Sequence, residues 1–455
     1  MMMTTQRSCL LCLLLVAGAA PAMVAAQQAS GDTFVGLRAF LSAVTAAQPE
    51  AYMARPASKV RTSAAFEEMR RHVLTMYEGV QSKHGFVLDS QYFDCIPIEQ
   101  QPSLRLRKLK LAALPPARLA SQAPSAQGKA PGAPSRVEPQ GRLGLVDKFG
   151  NKIACQAGTI PFRRLTLEEM SRFETLQQFF QKAPGGDAVP MPPRSAPGAT
   201  PPVARLAAPA THKYAFAYQF VDNLGGNSWL NLWSPAINTG AGQIFSLSQH
   251  WYASADGTQT VEGGWQAYPG KYGTTKSALF IYWTADGYST TGCYNLDCAA
   301  FVQINPNWFL GGTFSNYSTP GGPQYEFELQ WQLYKGNWFL FLAGGSGYQL
   351  VGYYPGSIYN GGQLASGAAL IEYGGETVGT TSWPPMGSGA FANQGFGFAA
   401  YQRLIFYITG SGSQWADLTA VEPSPSCYTI IVTPAASGGS WGTYFFFGGP
   451  GGNSC

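Results

Sequence analysis

The sequence predicts an antiparallel β-sandwich of jelly-roll type, preceded by a small α+β segment and a proline-rich linker. Three observations lead there. From Tyr214 onward, short runs of alternating apolar and aromatic residues recur with Gly, Asn and Ser between them, and no helical period competes with that pattern. Only 12% of the residues are charged, against 54 glycines and 32 prolines, a balance suited to strands, turns and linkers. Two tracts, 112–141 and 183–210, consist largely of Ala, Pro, Ser and Gly, so they are expected to bury no core and to stay extended and accessible. At 455 residues the chain exceeds one ordinary domain.

In chain order, Arg7, the apolar run from Cys9 to Ala20 and the small residues Val24, Ala25 and Ala26 read as an export signal over residues 1–26. The product is expected outside the cell, or in the periplasm of a Gram-negative host. No later run is long and apolar enough to span a bilayer, so no membrane partner is expected. Residues 27–182 form a front segment. Within it, 62–81 places Phe66, Met69, Val73, Met76, Tyr77 and Val80 on one helical stripe. Thr166 and Glu169 form a capping box ahead of Met170, Phe173, Leu176 and Phe180, which predicts a second amphipathic helix. Short strands are expected around Cys95 and Cys155, and 112–141 reads as a low-complexity insertion. Residues 183–211 are the linker, and 212–455 the main domain. There the runs 214–220, 228–234, 243–253, 258–268, 277–285, 325–334, 337–344, 348–354, 369–378, 403–409, 428–434 and 441–449 predict strands, with one broad aromatic groove.

Six cysteines remain once Cys9 and Cys12 leave with the signal: Cys95, Cys155, Cys293, Cys298, Cys427 and Cys455. In an oxidising compartment they favour three disulfides. Sequence order suggests 95 with 155, 293 with 298 and 427 with 455, although many other pairings are open. Charge divides unevenly, with +10 on residues 1–211 and −6 on 212–455. A basic front segment docked on an acidic domain, loosening as carboxylates protonate, would account for it. The basic residues are scattered, which argues against nucleic acid.

Chemistry follows by elimination. The main domain holds His212, His250, Arg403 and eleven acids, with no metal-ligand spacing, so neither a metal nor another cofactor is expected. No G-x-S-x-G elbow accompanies His250, and each cysteine has a disulfide partner in prospect. What remains is acid–base work by carboxylates, which needs one ionised and one protonated group. Glu262, in VEGGW, and Glu376, in EYGGE, lie in strand patterns beside glycines, where backbone can approach a substrate closely. Glu326 and Glu328 alternate with Tyr325, Phe327 and Leu329 and fit the polar outer face of a strand. A glycosidase, or a carbohydrate-binding sandwich without catalysis, would also use aromatics and acids.

The motifs VEGGW, YWTADGY with TGCYNLDC and FVQ, EYGGE, MGSGAFANQGFGFAAYQR and WGTYFFFGGPGGN resemble the neprosin family of glutamic prolyl endopeptidases. FDCIPIEQQPSL and CQAGTIPFRRLTLEEM resemble its activation domain. The resemblance implies a β-sandwich made as a zymogen, cutting proteins and peptides after proline in acid with two glutamates and a water. It places the first glutamate on Glu262 and the second on Glu376, with Glu372 an alternative of the same strand and parity. Tyr373 stands where the family usually has Trp. It also implies the pairs Cys293–Cys298 and Cys427–Cys455. On this reading Gln266, Gln303 or Tyr282 would stabilise the oxyanion, Trp265 would pack the proline ring, and the front segment would inhibit its own monomeric enzyme.

Overall fold

The computed structural model describes residues 33–116, 123–142, 144–182 and 212–455. The expected export signal and the linker 183–211 lie outside the described residues.

All twelve strand runs of the main domain form strands, in two antiparallel sheets. The seven-stranded sheet runs in the order Cys293–Tyr294, Ala278–Thr284, Thr260–Ala267, Gln243–Ala253, Ala368–Gly379, His212–Asn223, Thr419–Val421. The ten-stranded sheet is built around Tyr325–Tyr334, which lies between Asn337–Gly344 and Gly225–Asn231, with Ala400–Thr409 beyond the latter. Alternation along each strand sends every second side chain between the sheets. In the first sheet these include Val261, Trp265, His250, Tyr252 and Tyr373. Trp265 Nε1 donates to the Asn231 carbonyl across the gap at 2.9 Å, His250 Nε2 lies 2.6 Å from Ser228 Oγ, and Tyr252 stacks on Trp338. Burial holds the His250 ring down to about 3, so it stays neutral. It is a core histidine held by a serine of the facing sheet. Truncating a buried ring here is expected to cost about 3–5 kcal/mol through the cavity left behind.

The front segment packs the helix Ser63–Tyr77 and a three-stranded sheet, His84–Leu88, Gln91–Pro97 and Thr159–Arg163, against that sandwich. Thr62 caps the helix through the Ala65 amide, and Phe66, Met69 and Val73 are fully buried. The capping box at Thr166 forms as expected, but the helix it opens ends after Ser171. Thr175 then caps a separate turn, Leu176–Phe180. The expected single amphipathic helix is therefore two short ones, because a second threonine cap restarts the backbone. The disulfides are Cys95–Cys155, Cys293–Cys298 and Cys427–Cys455. Among the described residues no helix is long and apolar enough to cross a membrane.

Two expectations need correction. The tract 112–141 is not left free where it is described: Ser135–Arg136 adds to Tyr325–Tyr334, Val137 is buried, and Arg136 stacks over Trp229 at 4.6 Å. Glu326 does point to the outer face of its strand, but it is buried there, where Arg403 and Tyr401 bond it. Burial also pushes Glu328 up to about 7. That face therefore carries structure where solvent was expected.

Candidate active site

The other face of the seven-stranded sheet is turned toward the front segment. Register sets Glu262 opposite Trp251, and Trp251 opposite Glu372, in one cross-strand row. Two rows along, Glu376 faces Leu247 and Tyr214. Between these rows Gln249 stands opposite both Gly264 and Gly374. A Cβ on Gly264 would fall 1.9 Å from the Ser248 carbonyl, and one on Gly374 2.5 Å from that of Ala215. Glycine at these two positions thus lets the neighbouring strands' backbones come close beside the glutamates.

The two carboxylates meet on an ammonium group. Lys182, two residues past the turn Leu176–Phe180, places Nζ 2.7 Å from Glu262 Oε2 and 3.0 Å from Glu376 Oε2. With the Gln249 amide oxygen accepting from Trp251 Nε1 and from Lys182 Nζ, both at 2.6 Å, all three ammonium hydrogens have acceptors. The Gln249 nitrogen then lies 3.2 Å from Glu262 Oε2. One small polar atom can therefore reach both carboxylates at once. Lys182 and the two glutamates are almost fully excluded from solvent.

The outer oxygens are held differently. Glu262 Oε1 accepts from Tyr288 at 2.6 Å and Thr260 at 2.7 Å, both neutral hydroxyls. Glu376 Oε1 lies 2.7 Å from His212 Nδ1 and accepts from Tyr214 at 3.3 Å. Burial raises the Glu376 carboxyl, but Lys182 and then His212 outweigh it and bring it down to about 2. Burial pushes the Lys182 ammonium down, and the two glutamates more than restore it, so it stays charged. Glu372 has no such cation at hand: burial, then Glu262, push it up to about 8. It is a neutral acid at acidic pH and lies outside the ion-pair reach of Lys182, so the geometry pairs Glu262 with Glu376. Burial and the adjacent carboxylates hold Tyr288 and Tyr214 well above ordinary phenols, which keeps both as donors.

Of the remaining sequence candidates, Gln266 and Tyr282 line this groove and Trp265 and Gln303 do not. Gln266 bridges Tyr272 and Tyr294, and Tyr294 donates to the Lys182 carbonyl at 2.8 Å. Tyr282 sits opposite Glu262 and stacks on Tyr288. Trp265 has the opposite parity and lies in the core, where it cannot touch a proline in the groove. Gln303 belongs to the far edge of the other sheet, where it bonds the Asn305 and Trp308 carbonyls. The Cys293–Cys298 loop holds Tyr294 against the groove and Asp297 against the front segment. Lys182, His212, Tyr288, Thr260 and Gln249 were not singled out from sequence. His212 and Tyr214 share the strand parity of Glu376's neighbours, a signal open to register alone, whereas nothing local marks Lys182.

The front segment is fixed beside the groove by a buried polar cluster. Asp297 pairs with Lys271 at 2.8 Å and with Arg163 at 3.7 Å, and its carbonyl lies 2.8 Å from His72 Nε2. Lys271 also donates to the Phe179 carbonyl, three residues before Lys182. Burial lowers the His72 ring from its ordinary value, with the Asp297 carbonyl opposing.

Residues 242–450 match the family model described as Neprosin. Among solved structures, the chain is similar to scytalido-glutamic peptidase with a peptide-based transition-state analogue, at 10% identity over 53% of this chain and 98% of that one, TM-score 0.30. It is also similar to SCP-B, described as a member of the eqolisin family of peptidases, in complex with the tripeptide Ala-Ile-His, at 8% identity over the same shares, TM-score 0.29.

Proposed function

The chain belongs to the neprosin family through residues 242–450, and on that premise we propose that it is an exported glutamic endopeptidase, made as a zymogen, that hydrolyses peptide bonds on the carboxyl side of proline in acid. The observation that carries this reading is the single ammonium held by both Glu262 and Glu376. A water molecule in its place would touch the same two oxygens. One carboxylate takes a proton from that water, whose oxygen attacks the scissile carbonyl. The other carboxyl then protonates the leaving amine as the C–N bond breaks. Gln249 and Tyr282 lie where the developing oxyanion needs donors. The three disulfides support an oxidising compartment. An acid-pH digest of an unstructured protein, read by mass spectrometry, tests the specificity. Termini clustered after proline are expected, and termini indifferent to proline would remove it.

The front segment is on this reading its own inhibitor. Lys182 occupies the water position, and its carbonyl is tied to Tyr294, so the segment lies in the groove with no nucleophile to cut it. Acid opens it through His72. A base whose value is lowered by docking favours docking above its ordinary value near 6.5 and loses that contribution as pH falls toward the lowered one. Glu376 contributes in the same sense but only at lower pH, since its carboxyl is held near 2 while Lys182 is bound. His72→Gln is expected to move the onset of acid activation, followed by peptide cleavage after stepwise acidification, to lower pH by roughly half a unit or more. An unchanged onset would take the trigger away from His72.

Maturation is proposed to follow from the same specificity, since the sequence 183–210 is rich in X-Pro-X bonds. Self-cleavage in acid is expected to give a fragment starting between about residues 190 and 212. Amino-terminal sequencing reads the new end. If the same terminus forms equally in the Glu262→Gln variant, another protease makes the cut.

A further inference from the structure

The two carboxylates are alike in chemistry and in burial, and reach the same ammonium through equivalent oxygens. Their outer oxygens differ. We propose that His212 breaks the symmetry of the pair: by donating from Nδ1 to Glu376 Oε1 it holds that carboxylate ionised to take the proton of the attacking water, and it leaves Glu262 to carry the proton given to the leaving amine. The inference rests on the peptidase reading above and assigns roles within it.

The groups facing Glu376 are few. From its neighbouring strand come His212 and Tyr214, from the other side Gln249, from the next strand Glu262, from its own strand Glu372, and from the front segment Lys182. Once Lys182 leaves the groove, His212 is the one basic side chain of this set. An N–H aimed at a carboxylate oxygen favours its ionised form. Glu262 keeps Tyr288 and Thr260, both on Oε1, so a proton on this carboxyl belongs on Oε2, the oxygen turned toward the water position. When Lys182 is gone, two carboxyls, neutral hydroxyls and the neutral Gln249 amide, 3.2 Å from Oε2, surround Glu262, and no basic side chain is among them. The shared proton therefore sits on Glu262 and the negative charge on Glu376.

The step balances. Glu376 removes a proton from water and the new C–O bond forms. The tetrahedral intermediate collapses as Glu262 Oε2 protonates the nitrogen and the C–N bond breaks. The pair ends with the proton on Glu376, and returns to its starting state by passing it to Glu262 through the next water.

Two measurements on acid-matured protein test this. The first reads the acidic limb of kcat on a proline-containing peptide. Activity falls as the base protonates, so His212→Phe is expected to move that limb to higher pH by about one unit or more. His212→Asn, whose amide nitrogen falls where Nδ1 sits, is expected to restore part of the shift. A uniform loss at every pH, with no displaced limb, would make His212 merely structural and overturn the proposal. The second needs no change at His212. A prolyl nitrophenyl ester leaves without a proton, so it is expected to lessen the defect of Glu262→Gln by at least about tenfold relative to a peptide, and to leave that of Glu376→Gln unrelieved. Relief of Glu376→Gln instead, or of both alike, would overturn the assignment. If peptide cleavage depends on neither glutamate, the failure lies in the peptidase reading itself.

Discussion

Glu262→Gln and Glu376→Gln, made separately, are each expected to lower the cleavage of a proline-containing peptide at pH 3 to 5 by about 10²–10⁴-fold, the range that general acid–base groups contribute. Each substitution keeps shape and removes one of the two protonation states that the water needs. Glu372→Gln is the control within the same strand. Its carboxyl is already neutral, being held near 8, and reaches neither the ammonium nor the water position. Its effect is expected to stay within a few-fold. A near wild-type rate in either of the first two variants would remove that residue from the pair, and a comparable loss in Glu372→Gln would reopen the choice between Glu372 and Glu376.

Lys182→Met is expected to give an uncut chain that is already active. Removing one partner from a buried charged cluster costs about 3–5 kcal/mol, because the charges left behind have lost their counter-ion. That corresponds to docking of the front segment weakened by about 10²–10⁴-fold. The initial rate of the unprocessed variant at pH 5, before any new terminus forms on a gel, should exceed that of the unprocessed wild type by a similar factor. Methionine fills the volume of the lysine stem, so the segment can still pack that stem against Trp251 and Tyr288. Equal silence in both proteins would mean that the segment inhibits by covering the groove, with the ammonium adding nothing.

Much of this molecule is legible without coordinates, and the reason is local. Strands with one face in a core must alternate, so the twelve runs from 214 to 449 announce themselves. Glycines beside Glu262 and Glu376 mark places where backbone is approached closely. The helix Ser63–Tyr77 is equally plain from its stripe, whereas the break at Thr175 escaped because two short capped turns and one longer helix share the same apolar spacing. Trp265 was misplaced by one parity step: it neighbours Glu262 in sequence and lies on the other side of the sheet.

What the sequence alone determined is the sandwich; it suggested the cysteine partners in chain order, and it offered Glu262 with Glu376 or Glu372 as the candidate acids. Those are properties of period, spacing and residue type. Only the tertiary structure decided that Lys182 stands between Glu262 and Glu376, that His212 holds one and hydroxyls hold the other, and that Ser135–Arg136, within a tract rich in alanine and proline, adds to the ten-stranded sheet. Each of these joins residues distant in the chain, and a contact across such distance is set by how the elements pack, which no local pattern of residues encodes.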